Sequence, residues 1–362
     1  MRVLVISSKY PSPEAPGYGV RVANHVRHMQ EAHEIEVLLV ASSKRPNTLR
    51  ERAFKYSDLI ARAALVRPGD FDLIHFHYAT PSHAIATVLP WLRSRKPLVV
   101  TSHGGDLTTP PPSAPGRFLV EQMFRRAAAV IAVSGDVARA CLEHRAKPEA
   151  LHVIHMGCDL RVFRPRADRE VLRGRLGITE APTVLFVGDL IHTTGLDVLV
   201  EALHAVADRI APSLVIVGSG ALRSQYEALV NVRGLHERVR WLEPIRQPEL
   251  AEWYAACDVV AFPARYEPFG SVTLEAMASG VPVVASGVGG VPEILESESN
   301  GLLVRPDDPK ALGHALARVL TDRELSSRLR ERALLDVVSH SQERQVARIV
   351  DLYEAIVTER AS

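Results

Sequence analysis

The feature that most constrains the fold is an alternation of short apolar runs with helical patterns, which occurs twice along the 362 residues. The runs are rich in Val, Ile and Leu. Such runs are typical of strands in a parallel sheet that helices cover on both faces, because neither face of the strand meets water. The predicted strands are Val3–Ile6, Glu36–Val40, Leu73–His77, Leu98–Thr101, Val130–Val133, His152–His155, Thr183–Val187, Leu214–Val217, Val239–Leu242, Val259–Phe262, Val283–Ala285 and Leu302–Val304.

The alternation restarts after a polar, arginine-rich stretch around residues 159–177. We therefore expect an α/β chain of two Rossmann-like, doubly wound domains facing a cleft, one over residues 1–165 and one over residues 166–340. Residues 341–362 carry apolar side chains at helical spacing, which predicts a helix that packs back toward the N-terminal domain. Ligands of such sheets bind beyond the carboxyl ends of the strands, so the loops there are the places to search.

The net charge of +1 conceals an asymmetry between the two halves. Residues 1–165 carry 22 Lys and Arg against 14 Asp and Glu, whereas the remainder carries 21 against 28. This asymmetry indicates different partners for the two halves, with an anionic or membrane-associated partner for the basic one. The three cysteines lie far apart and no apolar run reaches 18 residues, so we expect a cytoplasmic protein, with peripheral membrane association left open.

The segment Glu267-Pro-Phe-Gly-Ser-Val-Thr-Leu-Glu275 follows a predicted strand and leads into a predicted helix. The amides of Gly270, Ser271 and Val272 would be the unpaired donors at the start of that helix, which is an arrangement suited to a phosphate. A carboxylate beside a phosphate site is suited instead to sugar hydroxyl groups. Glu267 and Glu275 flank the predicted anion site in this way.

This segment and its continuation, Ala-Met-Ala-Ser-Gly-Val-Pro-Val-Val-Ala-Ser-Gly-Val-Gly-Gly-Val-Pro-Glu-Ile, resemble the donor-site signature of glycosyltransferase family 4. Segments 72–77, 101–106, 153–165 and 186–197 resemble further parts of the same family, so the similarity covers nearly the whole chain. The resemblance implies a GT-B fold and a retaining transferase that takes sugar from a nucleotide-sugar without a metal or other cofactor. It also implies an acceptor-binding N-terminal domain and a donor-binding C-terminal domain, with no nucleic-acid partner.

The family's site roles transfer to matching positions of this sequence. Catalytic roles are implied for His103 and Glu267, and a ribose-binding role for Glu275. The other implied donor-binding residues are Gly17, Gly19, Gly218, Gly270, Ser271 and Val272. The acceptor-side candidates are Tyr18, His77 and Asp106.

The sequence departs from the family pattern in the loop after the strand Thr183–Val187. The family usually has Arg and Lys where this chain has Asp189 and Thr194. Because those cations neutralise the donor diphosphate, three readings follow: an ordinary transferase with compensation from His192, Arg223 or Arg265; a related binding protein with weak or lost catalysis; and an enzyme for an atypical donor such as a sugar phosphate.

Two further patterns have alternative interpretations. His75 and His77 share one strand face and are possible zinc ligands, but no third ligand has suitable sequence spacing, so we expect no metal site. The segment Asn47–Arg67 mixes Arg50, Arg52 and Lys55 with apolar residues. It is either a solvated basic helix face or a surface for an anionic acceptor or membrane.

Overall fold

The structure is a computed structural model that describes residues 1–44, 46, 48–81, 84–85, 94–108, 113–178 and 180–359. It divides into two compact units. Unit 1 comprises Met1–Met156 with Gln342–Ser362, and unit 2 comprises Gly157–Ser341. The boundary between the units falls after Met156, nine residues before the predicted boundary at residue 165. The segment 157–165 therefore belongs to unit 2.

Unit 1 contains a six-stranded parallel sheet of spatial order β2-β1-β3-β4-β5-β6. Its strands are β1 (Arg2–Ser7), β2 (Glu36–Ala41), β3 (Leu73–His77), β4 (Leu98–Ser102), β5 (Ala129–Ala132) and β6 (Leu151–Val153). Its described helices are α1 (Val20–His33), α2 (Leu49–Leu65), α3 (Gly105–Thr108), α4 (Ala114–Arg126) and α5 (Gly135–Glu143), and α13 (Gln342–Glu359) from the end of the chain.

Unit 2 contains a second six-stranded parallel sheet of spatial order β12-β11-β10-β7-β8-β9. Its strands are β7 (Thr183–Val187), β8 (Ser213–Val217), β9 (Val239–Leu242), β10 (Val259–Phe262), β11 (Val283–Ser286) and β12 (Leu302–Val304). Its described helices are α6 (Arg169–Leu176), α7 (Leu196–Ile210), α8 (Arg223–Val232), α9 (Gln247–Ala256), α10 (Ser271–Ala278), α11 (Pro309–Thr321) and α12 (Arg323–Asp336).

Both sheets are doubly wound, as the alternating sequence predicts. Strand order reverses between β1 and β3 in unit 1 and between β7 and β10 in unit 2, and crevices for ligands form at such reversals. The strands beside these points are almost fully buried, which explains their unbroken apolar character.

Helix α13 belongs to unit 1 although it lies at the far end of the sequence. Its apolar stripe joins the core that α1 and the sheet form, with Val346, Ile349 and Tyr353 packed near Val22 and Met29. The helical spacing of these residues is the signal that predicts the packing. Within the described residues, no helix is long and apolar enough to cross a membrane.

Candidate functional site

The loop between β10 and α10 is organised by the Glu267 carboxylate. Its Oε1 atom accepts hydrogen bonds from the backbone amides of Phe269 at 3.2 Å and Gly270 at 2.9 Å. Gly270 caps α10 with φ of 104°, a conformation that disfavours any residue with a side chain. Glu267 thus shapes the turn that exposes the start of α10, and it belongs to the same short segment as the predicted anion site.

The first turn of α10 contains a buried polar atom that could bond to a ligand. The Ser271 hydroxyl is buried and has no hydrogen-bond partner among the described residues. Ser271 and Val272 are half-buried and sit where a helix presents unpaired amides. The prediction of an unpaired amide is wrong for Gly270, whose amide donates to Glu267. An anion placed here would receive the Ser271 and Val272 amide donors and the serine hydroxyl.

Glu275 lies one turn further along α10 and is held by a residue that the sequence reasoning missed. Tyr254 on α9 is fully buried and donates its phenol hydrogen to Glu275 Oε2 at 2.9 Å. Burial and the neighbouring Glu275 carboxylate raise the pKa of Tyr254 well above its ordinary value, so the phenol stays protonated and remains a donor. No local sequence signal links these two positions, because the pair forms only when α9 packs beside α10.

The two positions that depart from the family pattern contact each other in the loop after β7. The Thr194 hydroxyl donates to the carbonyl oxygens of Asp189 and Ile191, each at 2.7 Å. Asp189 is exposed and Thr194 is half-buried. Thr194 therefore closes the loop by a local hydrogen bond, where a lysine would extend a positive charge.

Arg265 is the cation that the structure places at this loop. Its guanidinium forms a bidentate pair with Asp197 at 2.8 and 2.7 Å, contacts Asp307 at 2.6 Å and donates to the His192 carbonyl at 2.8 Å. These two carboxylates raise the pKa of Arg265 further. Arg265 thus joins the β10–α10 loop to the β7–α7 loop, but two carboxylates already balance its charge.

The other candidate cations have different surroundings. Arg223 pairs with Glu227 and Glu243, each at 2.8 Å, and its guanidinium stacks 5.1 Å from the centre of the Trp241 ring. His192 is exposed, and its carbonyl serves as an acceptor for Arg265. Among His192, Arg223 and Arg265, the side chain that bonds to the backbone of the β7–α7 loop is that of Arg265, which also pairs with Asp197 and Asp307.

Gly218 has a packing role that the sequence alone did not indicate. A Cβ atom there would overlap the carbonyl oxygen of Gly188, and one at Gly220 would overlap that of Leu190. The two turns interlock further through a hydrogen bond from Leu190 N to Ser219 O at 2.9 Å. Glycine at 218 is therefore explained by backbone packing, and its donor contact stays a prediction.

In unit 1, the predicted glycine loop leads into α1. Gly19 caps the helix with φ of 77°, and a Cβ atom there would overlap the Lys9 backbone. Gly17 is exposed and has open space around its Cα. Only Gly19 of the pair is thus required by the local geometry.

Two lysines meet aromatic side chains beside this loop. Lys55 Nζ lies 2.8 Å from the Tyr18 hydroxyl and 4.9 Å from the centre of its ring. Lys9 Nζ lies 4.7 Å from the centre of the Tyr78 ring and 6.0 Å from that of Tyr18.

Burial, with a smaller contribution from Lys9, lowers the pKa of Lys55 to about 8. Lys55 is only 2% exposed, so at this residue the expectation of a solvated basic face is wrong. The Arg52 side chain lies outside the described residues.

The ends of β3 and β4 bring the other candidates of unit 1 together. His77 Nδ1 lies 3.3 Å from His103 Nε2, and the His103 ring lies 4.4 Å from that of Tyr78. Asp106 accepts from the His103 amide at 3.0 Å, from the Ser102 hydroxyl at 3.2 Å and from the Ala79 amide. Asp106 therefore orders the turn that carries His103.

The ionisation states of this group follow from burial and charge. Burial, followed by the positive charges of Arg21 and Lys9, lowers the pKa of His103 well below its usual value. Burial also raises the pKa of Asp106, although its hydrogen bonds oppose the shift. These shifts keep the imidazole neutral and make it a weak base, so it can accept a hydrogen bond from a hydroxyl group without taking the proton.

The two doubly wound units, each with polar groups at the carboxyl ends of its strands, define the class of GT-B-type α/β proteins. Solved structures agree with this class. Sucrose-phosphate synthase from Thermosynechococcus elongatus superposes with a TM-score of 0.84 at 24% identity, covering 99% of this chain and all of that one. Anabaena HepE, crystallised with UDP, gives 0.79 at 22% identity over 98% of this chain and all of that one.

Sequence comparisons identify the family. The model for glycosyl transferases group 1 matches residues 168–335, and that for glycosyltransferase family 4 matches residues 2–162. A protein named D-inositol 3-phosphate glycosyltransferase 1 from Catenulispora acidiphila is 33% identical over 313 residues, which cover 80% of this chain and 73% of that protein. The chain belongs to glycosyltransferase family 4 and is a glycosyltransferase of GT-B fold, as the sequence motifs predict.

Proposed function

We propose that the protein transfers a sugar from a nucleotide-sugar to a hydroxyl group of a phosphorylated polyol, with retention of anomeric configuration. The observation that carries the proposal is the β10–α10 segment. It combines an anion site at the start of α10, with the buried Ser271 hydroxyl, and the carboxylates Glu267 and Glu275. A nucleotide-sugar presents the complementary groups, namely phosphate beside the hydroxyl groups of a sugar and a ribose.

The donor arrangement follows from this segment. The Ser271 and Val272 amides would hold donor phosphate, Glu275 the ribose hydroxyls, and Glu267 the sugar hydroxyls near the anomeric carbon, while the Gly270 amide donates to Glu267. Tyr254 supports the role of Glu275, because its hydrogen bond fixes one carboxylate oxygen. We choose a UDP-sugar as the first donor to test, since the similar HepE structure contains UDP.

The acceptor class rests on unit 1. Lys9, Lys55 and Arg21 place positive charge near Tyr18, Tyr78 and His103. A phosphate monoester is the anion that such a group suits, because amines and guanidinium groups form charge-assisted hydrogen bonds with its oxygens. The relatives named D-inositol 3-phosphate glycosyltransferases support a phosphorylated cyclic polyol as the acceptor.

The proposed chemistry is same-face attack. The acceptor hydroxyl approaches the anomeric carbon from the side of the departing phosphate, which takes the hydroxyl proton, so the configuration is retained. The chain contributes position and charge rather than a covalent nucleophile, and this transfer step uses no metal ion. Neutral His103 would accept a hydrogen bond from a sugar or acceptor hydroxyl.

A second candidate is an atypical donor such as a sugar phosphate. It is favoured by the β7–α7 loop, where Asp189 and Thr194 replace cations and where Asp197 and Asp307 balance Arg265. A donor with one phosphate needs less positive charge than a nucleoside diphosphate. A binding protein with lost catalysis is a third candidate, supported by the same replacements.

The deciding experiment incubates the protein with UDP-, GDP-, ADP- and dTDP-sugars, and separately with sugar 1-phosphates. Each donor is paired with inositol 3-phosphate and with unphosphorylated inositol. We expect nucleotide release with the phosphorylated acceptor, and a product whose anomeric configuration by NMR matches the donor. Glu267→Gln should lower turnover, whereas the control Glu249→Gln, at an exposed residue paired with Arg246, should not. Turnover with sugar phosphates alone would select the second candidate, and no turnover or binding with any donor would refute the transfer.

A further inference from the structure

Three buried histidines converge in unit 1 from positions far apart in the sequence. His25 comes from α1, while His75 and His77 share one face of β3. All three are at most 3% exposed. The centres of the His75 and His77 rings are 4.2 Å apart, and the His25 ring centre lies 5.5 and 5.3 Å from them. His25 is a third histidine beside this pair, which sequence spacing did not reveal.

We propose that His25, His75 and His77 bind one zinc ion, with the Tyr353 hydroxyl as an outer contact that orients the His25 and His75 rings. One ring nitrogen of each histidine lies within 4.8 Å of those of the other two. Nitrogens around a tetrahedral zinc ion are roughly 3.3 Å apart, given Zn–N distances of about 2.0–2.1 Å. Small side-chain shifts therefore suffice to close the site around the ion.

The surrounding contacts favour a metal over a self-contained hydrogen-bond cluster. His25 Nδ1 is buried and has no hydrogen-bond partner in the described part of the chain. The Tyr353 hydroxyl lies 3.5 Å from His25 Nε2 and also contacts His75 Nδ1. The Tyr353 hydroxyl therefore faces Nε2 of His25, and the other ring nitrogen, Nδ1, is the ligand atom that His25 offers to a borderline-soft divalent cation.

Contacts from outside the cluster would orient the ligands. His75 Nε2 lies 2.7 Å from the Thr101 hydroxyl, and His77 Nδ1 lies 3.3 Å from His103 Nε2. Metal-binding histidines usually have such an outer partner, which sets the tautomer and ring orientation. Through His77 the ion would fix the position of His103, and through Tyr353 it would hold α13 against β3.

The test measures bound metal in the full-length protein. The protein is produced in zinc-containing medium, desalted, and assayed for zinc per chain. A metal-free sample, prepared with a chelator, is then titrated with Zn²⁺ and with Co²⁺, whose visible spectrum reports four-coordinate geometry. We expect close to one zinc per chain, a saturable Co²⁺ spectrum displaced by Zn²⁺, and slower hydrogen exchange in α13 when zinc is bound.

Variants identify the ligands. His25→Asn and His75→Asn should each lose the bound zinc. His144→Asn should keep it, because His144 is a buried histidine of the same unit that bonds to the Ala140 carbonyl outside the cluster. If the ligand variants fail to fold, the measurements on the unmodified protein decide alone. Absence of zinc and of a Co²⁺ spectrum in the folded protein would overturn the proposal and leave a hydrogen-bonded histidine cluster. Full zinc content in both folded ligand variants would overturn it as well.

Discussion

The two units are built alike yet present opposite charge at the ends of their strands. In unit 2, Asp189 lies after β7 and Arg265 after β10, and Arg265 is balanced by Asp197 at the start of α7 and by Asp307 after β12. In unit 1, Lys9, Arg21 and Lys55 gather around aromatic rings and a neutral histidine. The same sheet topology therefore carries different charge in the two units, because residues outside the strands supply the charge.

The largest expected effect is at the carboxylate of unit 2 that shapes the donor loop. Glu267→Ala removes the acceptor of the Phe269 and Gly270 amides as well as the proposed contact to the sugar. We expect kcat to fall by about 10²–10³-fold, the range for loss of a group that acts in the transition state. Steady-state kinetics with saturating donor measures this, and an unchanged kcat would exclude Glu267 from the chemistry.

A smaller effect is expected from the buried lysine of unit 1. Lys55 is buried, and its Nζ donates to the Tyr18 hydroxyl and the Lys44 carbonyl, each at 2.8 Å, so its charge would act on the acceptor through Tyr18. Lys55→Met removes these charge-assisted hydrogen bonds, worth about 1.5–3 kcal/mol, so KM for the phosphorylated acceptor should rise about 10–100-fold with little change in donor KM. Lys147→Met, at an exposed lysine of the same unit, is the control. An equal rise of donor KM would contradict the division of roles between the units.

Placing the family's Arg and Lys in the β7–α7 loop of unit 2 should make that loop positively charged, as the Tyr18 region of unit 1 already is. Asp189→Arg with Thr194→Lys replaces an exposed carboxylate and a loop-closing hydroxyl with two positive charges. We expect the Kd for UDP, measured by calorimetry, to fall about tenfold. Asp208→Arg, on the exposed side of α7, controls for net charge. A fall in turnover despite tighter UDP binding would indicate that the native loop serves an atypical donor.

The pH dependence of acceptor binding tests the lysine in another way. Since the pKa of Lys55 is lowered to about 8, its charge is present below pH 8 and disappears as the pH rises above it. Acceptor KM should therefore rise about tenfold between pH 7 and pH 9 if acceptor binding requires the positive charge of the lysine. Lys55→Arg should flatten this profile, because an arginine stays charged. A profile that is the same in both proteins would assign the titration to another group.

The smallest expected effect is at Tyr254. Tyr254→Phe removes the hydrogen bond to Glu275 while keeping the ring that fills the core. A hydrogen bond to a charged group contributes about 1.5–3 kcal/mol, and only part of that loss should reach donor binding, so we expect donor KM to rise severalfold with kcat nearly unchanged. Thermal unfolding checks that the core is intact. A large fall in kcat would give Tyr254 a role beyond positioning Glu275.

Local patterns predicted most of the secondary structure. Strands β3, β7, β9, β10 and β12 have the predicted bounds, because each is a short apolar run with polar flanks. The β5 and β6 runs begin one residue earlier than predicted, since pairing with β4 and β5 decides where a short strand starts. Motif resemblance also identified the family, because the donor segment is continuous in sequence.

The sequence by itself determined the two doubly wound sheets, the helix at the end of the chain, and the family of glycosyltransferases. Only the tertiary structure decided that Arg265 joins the β7–α7 and β10–α10 loops, that Tyr254 holds Glu275, that Lys55 is buried beside Tyr18, and that His25 lies near His75 and His77. The physical reason is the range of the interactions. Strand and helix patterns depend on neighbours a few residues apart, whereas these contacts join side chains from separate elements that meet only after the sheets and helices have packed.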